Sequence, residues 1–429
     1  MSAAIVFILF VICLIIAIPV SISLGIASVL PGVFDPSFTV SAKYIIRSMF
    51  GGLDSFPLLA VPMFVLSGIV MAKGGISRKL FDVFAYFMGN LTAGMPCAVI
   101  VTCLFYGAIS GSAPATVAAV GSMTIPILVE LGYDKVFSTA IVAVAGGLGV
   151  IIPPSIPFIM FGMASGASVS DLFLAGIIPG ILIGLLLMVY AIYHCRRYGE
   201  DKEKIRAAVL TLRKKGLFCV LKESFFALLS PVIILGCIYS GVASPTEAAV
   251  ISVFYALIVS LFVYKSIRLQ EIWAIAVESI RTFTPILFIL AASTAFSRVL
   301  TLMQIPQSVS SFILSNFSNP TLILIVVNIF LLLVGMVMDT TPAILILTPI
   351  LMPVITSIGV DPVHFGVIMV VNLAIGFVTP PIGVNLFVAS SLTDVPVMEI
   401  AGKAMPMIAF FLGALLLITF VPEITLFFL

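Results

Sequence analysis

Long apolar runs fill most of the chain, and polar positions fall between these runs instead of alternating with them. About 20 apolar residues span a hydrocarbon core of roughly 30 Å. Stretches near positions 5–30, 56–72, 140–163, 174–193, 225–239, 248–264, 285–303, 367–390 and 404–428 approach or exceed that length, and each is read as a membrane helix. Two further apolar segments, 91–131 and 320–358, are interrupted midway by Ser110-Gly-Ser-Ala-Pro114 and by Asp339-Thr-Thr-Pro342. Each has room for two half-crossings joined by a polar turn, which predicts a re-entrant helical hairpin. A short amphipathic stretch, 41–50, fits a helix lying in the membrane interface.

The pattern also repeats. Sliding the first half by 227 positions aligns Pro126 with Pro353, Gly132 with Gly359, Asp134 with Asp361, Gly149 with Gly376, Pro153-Pro154 with Pro380-Pro381 and Pro179 with Pro406. Proline and glycine dominate the matches, so backbone punctuation is what recurs. One unmatched span between the copies inverts the second, and inverted repeats with broken helices are built into secondary transporters. The expected organisation is a first inverted repeat over 1–193, a basic cytoplasmic loop over 194–222, a linking helix over 223–240 and a second repeat over 241–429. The fold class follows as an all-α polytopic membrane protein, an inverted-repeat transporter with two re-entrant hairpins and broken helices.

Composition agrees with a lipid solvent, since 62% of the 429 residues are hydrophobic and only 9% are charged. A formal charge of +2 gives no reason to expect a nucleic acid partner. Charge informs by position instead: segment 194–222 holds nine of the 20 Lys and Arg residues, which places it in the cytoplasm. The six cysteines never form a Cys-x-x-Cys pair and read as small hydrophobes. The first apolar run resembles a signal-peptide core, but Met1–Ala4 carries no basic residue, so it is read as the first helix.

The chemistry lies where the hairpin tips meet the helix interruptions. Each predicted broken helix, 140–163 and 367–390, carries Gly-x-x-x-Pro-Pro: Gly149 to Pro154 in one copy, Gly376 to Pro381 in the other. Two prolines in succession free several carbonyls, and those oxygens can coordinate a dehydrated cation while half-helix amides face an anion. The first sodium site is assigned to Ser110, Ser112, Gly149, Ile152 and Pro154, and the second to Gly335, Asp339, Gly376, Thr379 and Pro381. Thr340, Thr341, Asn385 and Arg298 are the candidate substrate contacts. Asp339 serves equally as a cation ligand or as a helix N-cap. Arg298 reads as a carboxylate partner or as a snorkelling side chain, Asn385 as a substrate contact or a brace for the broken helix. Ser244-Pro-Thr-Glu247 is a capping box, which accounts for Glu247.

The stretches Gly111-Ser-Ala-Pro-Ala-Thr-Val-Ala-Ala, Ile151-Ile-Pro-Pro-Ser, Ser244-Pro-Thr-Glu-Ala-Ala and Gly376-Phe-Val-Thr-Pro-Pro-Ile-Gly resemble the large membrane subunit of tripartite ATP-independent periplasmic (TRAP) transporters. The resemblance covers nearly the whole chain. It implies sodium-coupled import by an elevator movement through the bacterial inner membrane, with sodium as coupling ion and no other cofactor. The implied partners are a small four-helix membrane subunit and a periplasmic substrate-binding protein; the implied substrate is an organic acid, sialic acid or a C4-dicarboxylate. Two alternatives stand beside it: a sodium/anion symporter that needs no binding protein, and an intramembrane enzyme using Asp339, for which no second membrane carboxylate is evident.

Overall fold

The computed structural model describes residues 3–34, 40–317 and 319–429, and among these every regular element is helical. Among the described residues, eight helices are long and apolar enough to cross a membrane. Both interrupted segments are helical hairpins: Gly94–Ser110 returns as Ala113–Glu130, and Pro320–Gly335 returns as Thr340–Ser357. Gly111 closes the first tip at φ 60°, a left-handed conformation that glycine adopts without strain. Each hairpin is followed by a helix broken at its Pro-Pro pair. Lys135–Gly146 resumes as Ile156–Ser165, Pro362–Gly376 resumes as Val384–Thr393, and both Pro-Pro bonds are cis. Ala113 and Thr340 begin equivalent helices 227 positions apart, as do Lys135 and Pro362.

The hairpins and broken helices interleave. Ala113–Glu130 packs on Val384–Thr393, and Thr340–Ser357 packs on Ile156–Ser165, so each hairpin rests partly on the other copy. A second group, formed by Ala42–Leu53, Ala60–Lys73, Pro245–Ile258 and Glu271–Leu302, packs around itself and flanks the first. On the basic side, the Glu200 carboxylate accepts the Ala93 amide at 3.0 Å and the Tyr133 hydroxyl at 2.6 Å. One side chain thereby ties together both feet of the first hairpin.

Several boundaries differ from the hydropathy reading. The stretch 5–30 is two helices, Ala3–Ile15 and Val20–Phe34, because Pro19 disfavours helix at Ile18 and Ala17 turns left-handed at φ 63°. The stretch 285–303 is the end of a longer helix, Glu271–Leu302. Its first turns carry Glu278 and Arg281, which lower hydropathy without breaking a helix. The basic segment 194–222 is not a loop: it contains Lys202–Lys214, whose Arg213 guanidinium donates to the Tyr86 carbonyl at 3.2 Å. Ile76–Met88 and Ile305–Asn316 are further helices, too short and too polar to read as membrane spans. The interfacial stretch 41–50 is a helix over Ala42–Leu53, capped by the Ser41 side chain.

Candidate functional site

At the first tip, Ser110, Ser112 and Gly149 come together as the spacing predicts. The Ser110 hydroxyl lies 3.3 Å from the Ser112 carbonyl and 2.9 Å from the Thr116 hydroxyl. Thr116, absent from the sequence-based set, also donates to the Ser112 carbonyl at 2.8 Å. Its helical spacing of four from Ser112 permits that bond. A Cβ on Gly149 would overlap the Thr116 hydroxyl and lie 2.8 Å from the Ser112 carbonyl oxygen, so only glycine lets break and tip meet here. Pro154 is buried beside Gly111, whose carbonyl accepts the Ile156 amide at 3.3 Å. Ile152 is buried too, with its side chain against Gly180. The result is a cluster of hydroxyls and carbonyls with no carboxylate among the described residues, a set of hard oxygen donors suited to a hard cation.

At the second tip the contact is backbone on backbone. A Cβ on Gly376 would overlap the Gly335 carbonyl, and the Met336 carbonyl accepts the Ile382 amide at 3.3 Å. Thr379 donates its hydroxyl to the Ile375 carbonyl at 2.7 Å, which leaves the oxygen's lone pairs available. Pro381 is exposed, whereas the first break is buried throughout. Asp339 occupies the N-cap position of Thr340–Ser357 with extended backbone, and its carboxylate accepts the Thr340 hydroxyl at 3.2 Å. Thr340 and Thr341 are buried in that helix's first turn.

The remaining candidates separate. Asn385 is buried and donates to the Ala143 carbonyl at 3.0 Å, bracing the second broken helix against the first, while its amide oxygen has no hydrogen-bond partner among the described residues. Arg298 lies in the flanking group, where its guanidinium reaches the Ser48 hydroxyl at 3.4 Å. Glu247 forms the predicted capping box with Ser244. A buried amide pair was missed from sequence: Asn372, on Pro362–Gly376, donates to the carbonyl and side-chain oxygens of Asn328, both at 2.9 Å. Two lone amides in otherwise apolar runs were the available signal.

Two chambers separate the hairpin group from the flanking helices. The inner chamber, about 670 Å³, reaches the first tip at Ser110 and Ser112, and Lys73, Arg78 and Glu278 also line it. Lys73 and Glu278 pair at 2.5 Å. The outer chamber, about 610 Å³, is lined by Ser170, Thr246, Thr294, Ser297, Arg298 and Leu345, among others. Glu271–Leu302 contributes its early turns to one chamber and its late turns to the other.

Comparison with known proteins agrees with this architecture. The YdaH transporter of Alcanivorax borkumensis superposes with a TM-score of 0.64 at 13% identity, covering 93% of this chain and 96% of that one. The isethionate TRAP transporter permease protein DctMQ of Oleidesulfovibrio alaskensis is 43% identical over 97% of this chain, which spans 64% of that relative's length. The C4-dicarboxylate TRAP transporter large permease protein DctM of Pseudomonas aeruginosa is 40% identical, over 90% of this chain and 89% of its own. The sialic acid TRAP transporter large permease protein SiaM of Vibrio cholerae is 35% identical, over 90% and 88%. All three are named as permease components, not as enzymes. Residues 7–424 match the tripartite ATP-independent periplasmic transporter family, DctM component, and the chain belongs to that family as a multi-pass membrane permease.

Proposed function

We propose that the chain is the substrate-translocating subunit of a sodium-coupled importer of small organic acids, in which the hairpin group moves past the flanking helices as an elevator. The observation that carries this reading is the pairing of the chambers. Ala118 and Ser122 line the inner one, and Leu345 and Pro349, 227 positions later, line the outer one. Conversely, Gly51 and Ser55 line the outer chamber, and Glu278 and Thr282, at the same offset, line the inner one. Two copies inverted in the membrane would place equivalent residues on opposite faces in this way. Lys73 and Arg78 put the inner chamber on the cytoplasmic side with the basic segment 194–222. Phe56 and Pro57, at the opposite end of the same crossing, put the outer chamber on the periplasmic side.

Sodium occupies the two tips in this reading, because oxygens freed at the breaks otherwise lack compensation. Ser110, Ser112, Gly149, Ile152 and Pro154 hold one ion; Gly335, Asp339, Gly376, Thr379 and Pro381 hold the other. Thr340 and Thr341 face the substrate with the first amides of their helix. Asn385, braced on the Ala143 carbonyl, is a further substrate contact, and Arg298 serves the periplasmic side. The partners are a small membrane subunit and a periplasmic binding protein in the bacterial inner membrane. The names of relatives widen the substrate class from sialic acid and C4-dicarboxylates to sulfonates.

The test is uptake of labelled succinate, N-acetylneuraminate and isethionate by proteoliposomes holding the chain, its small subunit and its binding protein. Accumulation of at least one acid requires external sodium. Equal uptake with choline in place of sodium overturns the coupling, and uptake without the binding protein overturns that partnership.

A further inference from the structure

The outer chamber has a charge pattern that transport by the hairpin tips does not explain. Among the described residues lining it, Arg298 is the one charged side chain, and six hydroxyl residues accompany it: Ser55, Ser170, Ser244, Thr246, Thr294 and Ser297. Arg298 makes no ion pair among the described residues; its nearest hydrogen-bond partner is the neutral Ser48. The guanidinium lies beside Gly51 at the chamber wall.

Two helices begin at the same chamber. Val169–Tyr198, capped by Ser168, presents Val169 and Ser170; Pro245–Ile258, capped by Ser244, presents Pro245 and Thr246. Helix starts carry partial positive charge and free amides. The acids in these first turns, Asp171 and Glu247, are absent from the lining, and the Glu247 carboxylate is folded back onto the Ser244 amide and hydroxyl at 2.8 Å. Asp54 is absent from the chamber lining and lines a neighbouring pocket with Arg47 and Arg298. The equivalent inner chamber is built differently: it carries an acid, Glu278, which pairs with Lys73, and Arg78 also lines it.

We infer that the outer chamber is a holding site for a small carboxylate or sulfonate, centred on the Arg298 guanidinium and the starts of helices Val169–Tyr198 and Pro245–Ile258. The anion occupies it before the hairpin group takes it up. The inference rests on the transport reading for its direction, but the site itself is testable without transport.

Ser297→Cys places a thiol in the chamber, and charged methanethiosulfonates added from outside report the local potential. The full complex is reconstituted in phosphatidylcholine vesicles. The rate ratio of the anionic sulfonatoethyl reagent to the cationic trimethylammonium-ethyl reagent falls at least about threefold when Arg298→Met is added, and Arg298→Lys restores it. Isethionate or succinate slows the anionic reagent in the parent and not in Arg298→Met. A ratio unmoved by Arg298→Met overturns the inference. So does protection that ignores both solutes and arises only when phosphatidylglycerol is included, which assigns the chamber to a lipid headgroup. A failure of uptake with the thiol ratio still dependent on Arg298 refutes the transport reading and leaves the anion site standing.

Discussion

Gly376→Ala tests the contact on which the second site depends. A Cβ at Gly376 would overlap the carbonyl carbon and oxygen of Gly335 and lie 2.6 Å from its Cα. These are backbone atoms, so no rotamer change relieves the clash, and tip and break must separate. Overpacking costs about 1–3 kcal/mol, and alanine returns at most about 1 kcal/mol of helix propensity over glycine. Taking the upper end, because backbone must move, leaves about 2 kcal/mol. If that cost falls on the closed, ion-bound arrangement, apparent sodium affinity drops about 30-fold. Gly402→Ala is the control: it lies inside helix Val397–Phe420 with nothing within 4 Å of the added carbon. Sodium titration of uptake, beside thermal unfolding of each purified complex, reads both effects. Gly376→Ala matching Gly402→Ala in sodium affinity and unfolding midpoint would refute the reasoning, because the tip would then not need to touch the break.

Thr379→Val removes a hydroxyl oxygen at the second break at nearly constant shape, and a lost ligand costs about 1–3 kcal/mol; sodium affinity of uptake falls about tenfold, whereas Ile152→Val, which alters no oxygen, leaves it unchanged. Thr116→Val frees Ser110 and the Ser112 carbonyl from their shared partner, so sodium affinity weakens several-fold while thermal stability moves by less than about 1 kcal/mol. Asn372→Leu strands the Asn328 side-chain oxygen that now accepts its amide and destabilises the protein by about 1–2 kcal/mol. Adding Asn328→Leu recovers part of that loss, and additive destabilisation in the double variant would show that the pair is not coupled.

The sequence displayed the hairpins and broken helices because their punctuation is local: polar turns in apolar runs and paired prolines need no tertiary context. Ser110, Ser112, Gly149, Gly335 and Gly376 could be grouped for the same reason, since each lies next to a tip or a break. Thr116 was hidden because it sits inside a helix, and only its approach to Ser110 reveals a role. The length of Glu271–Leu302 escaped hydropathy because Glu278, which lines the inner chamber, and Arg281 lower the average over its first half. Arg298 reads from sequence as a snorkelling side chain or a substrate contact; its chamber exists only through helices Ala42–Leu53, Pro245–Ile258 and Val169–Tyr198, which are distant along the chain. The chamber pairing needed both the repeat offset and the assembled cavities.

The central claim is that equivalent chambers on opposite faces open in turn, and thiol accessibility measures it directly. Ser122→Cys reports the inner chamber and Ser170→Cys the outer one, each labelled from its own side by a membrane-impermeant maleimide in the reconstituted complex. Shifting the complex between sodium alone and sodium with transported acid and loaded binding protein is predicted to move the two labelling rates in opposite directions, so that whatever exposes Ser170→Cys protects Ser122→Cys. Rates that rise and fall together, or both thiols reacting from the same face, would contradict it.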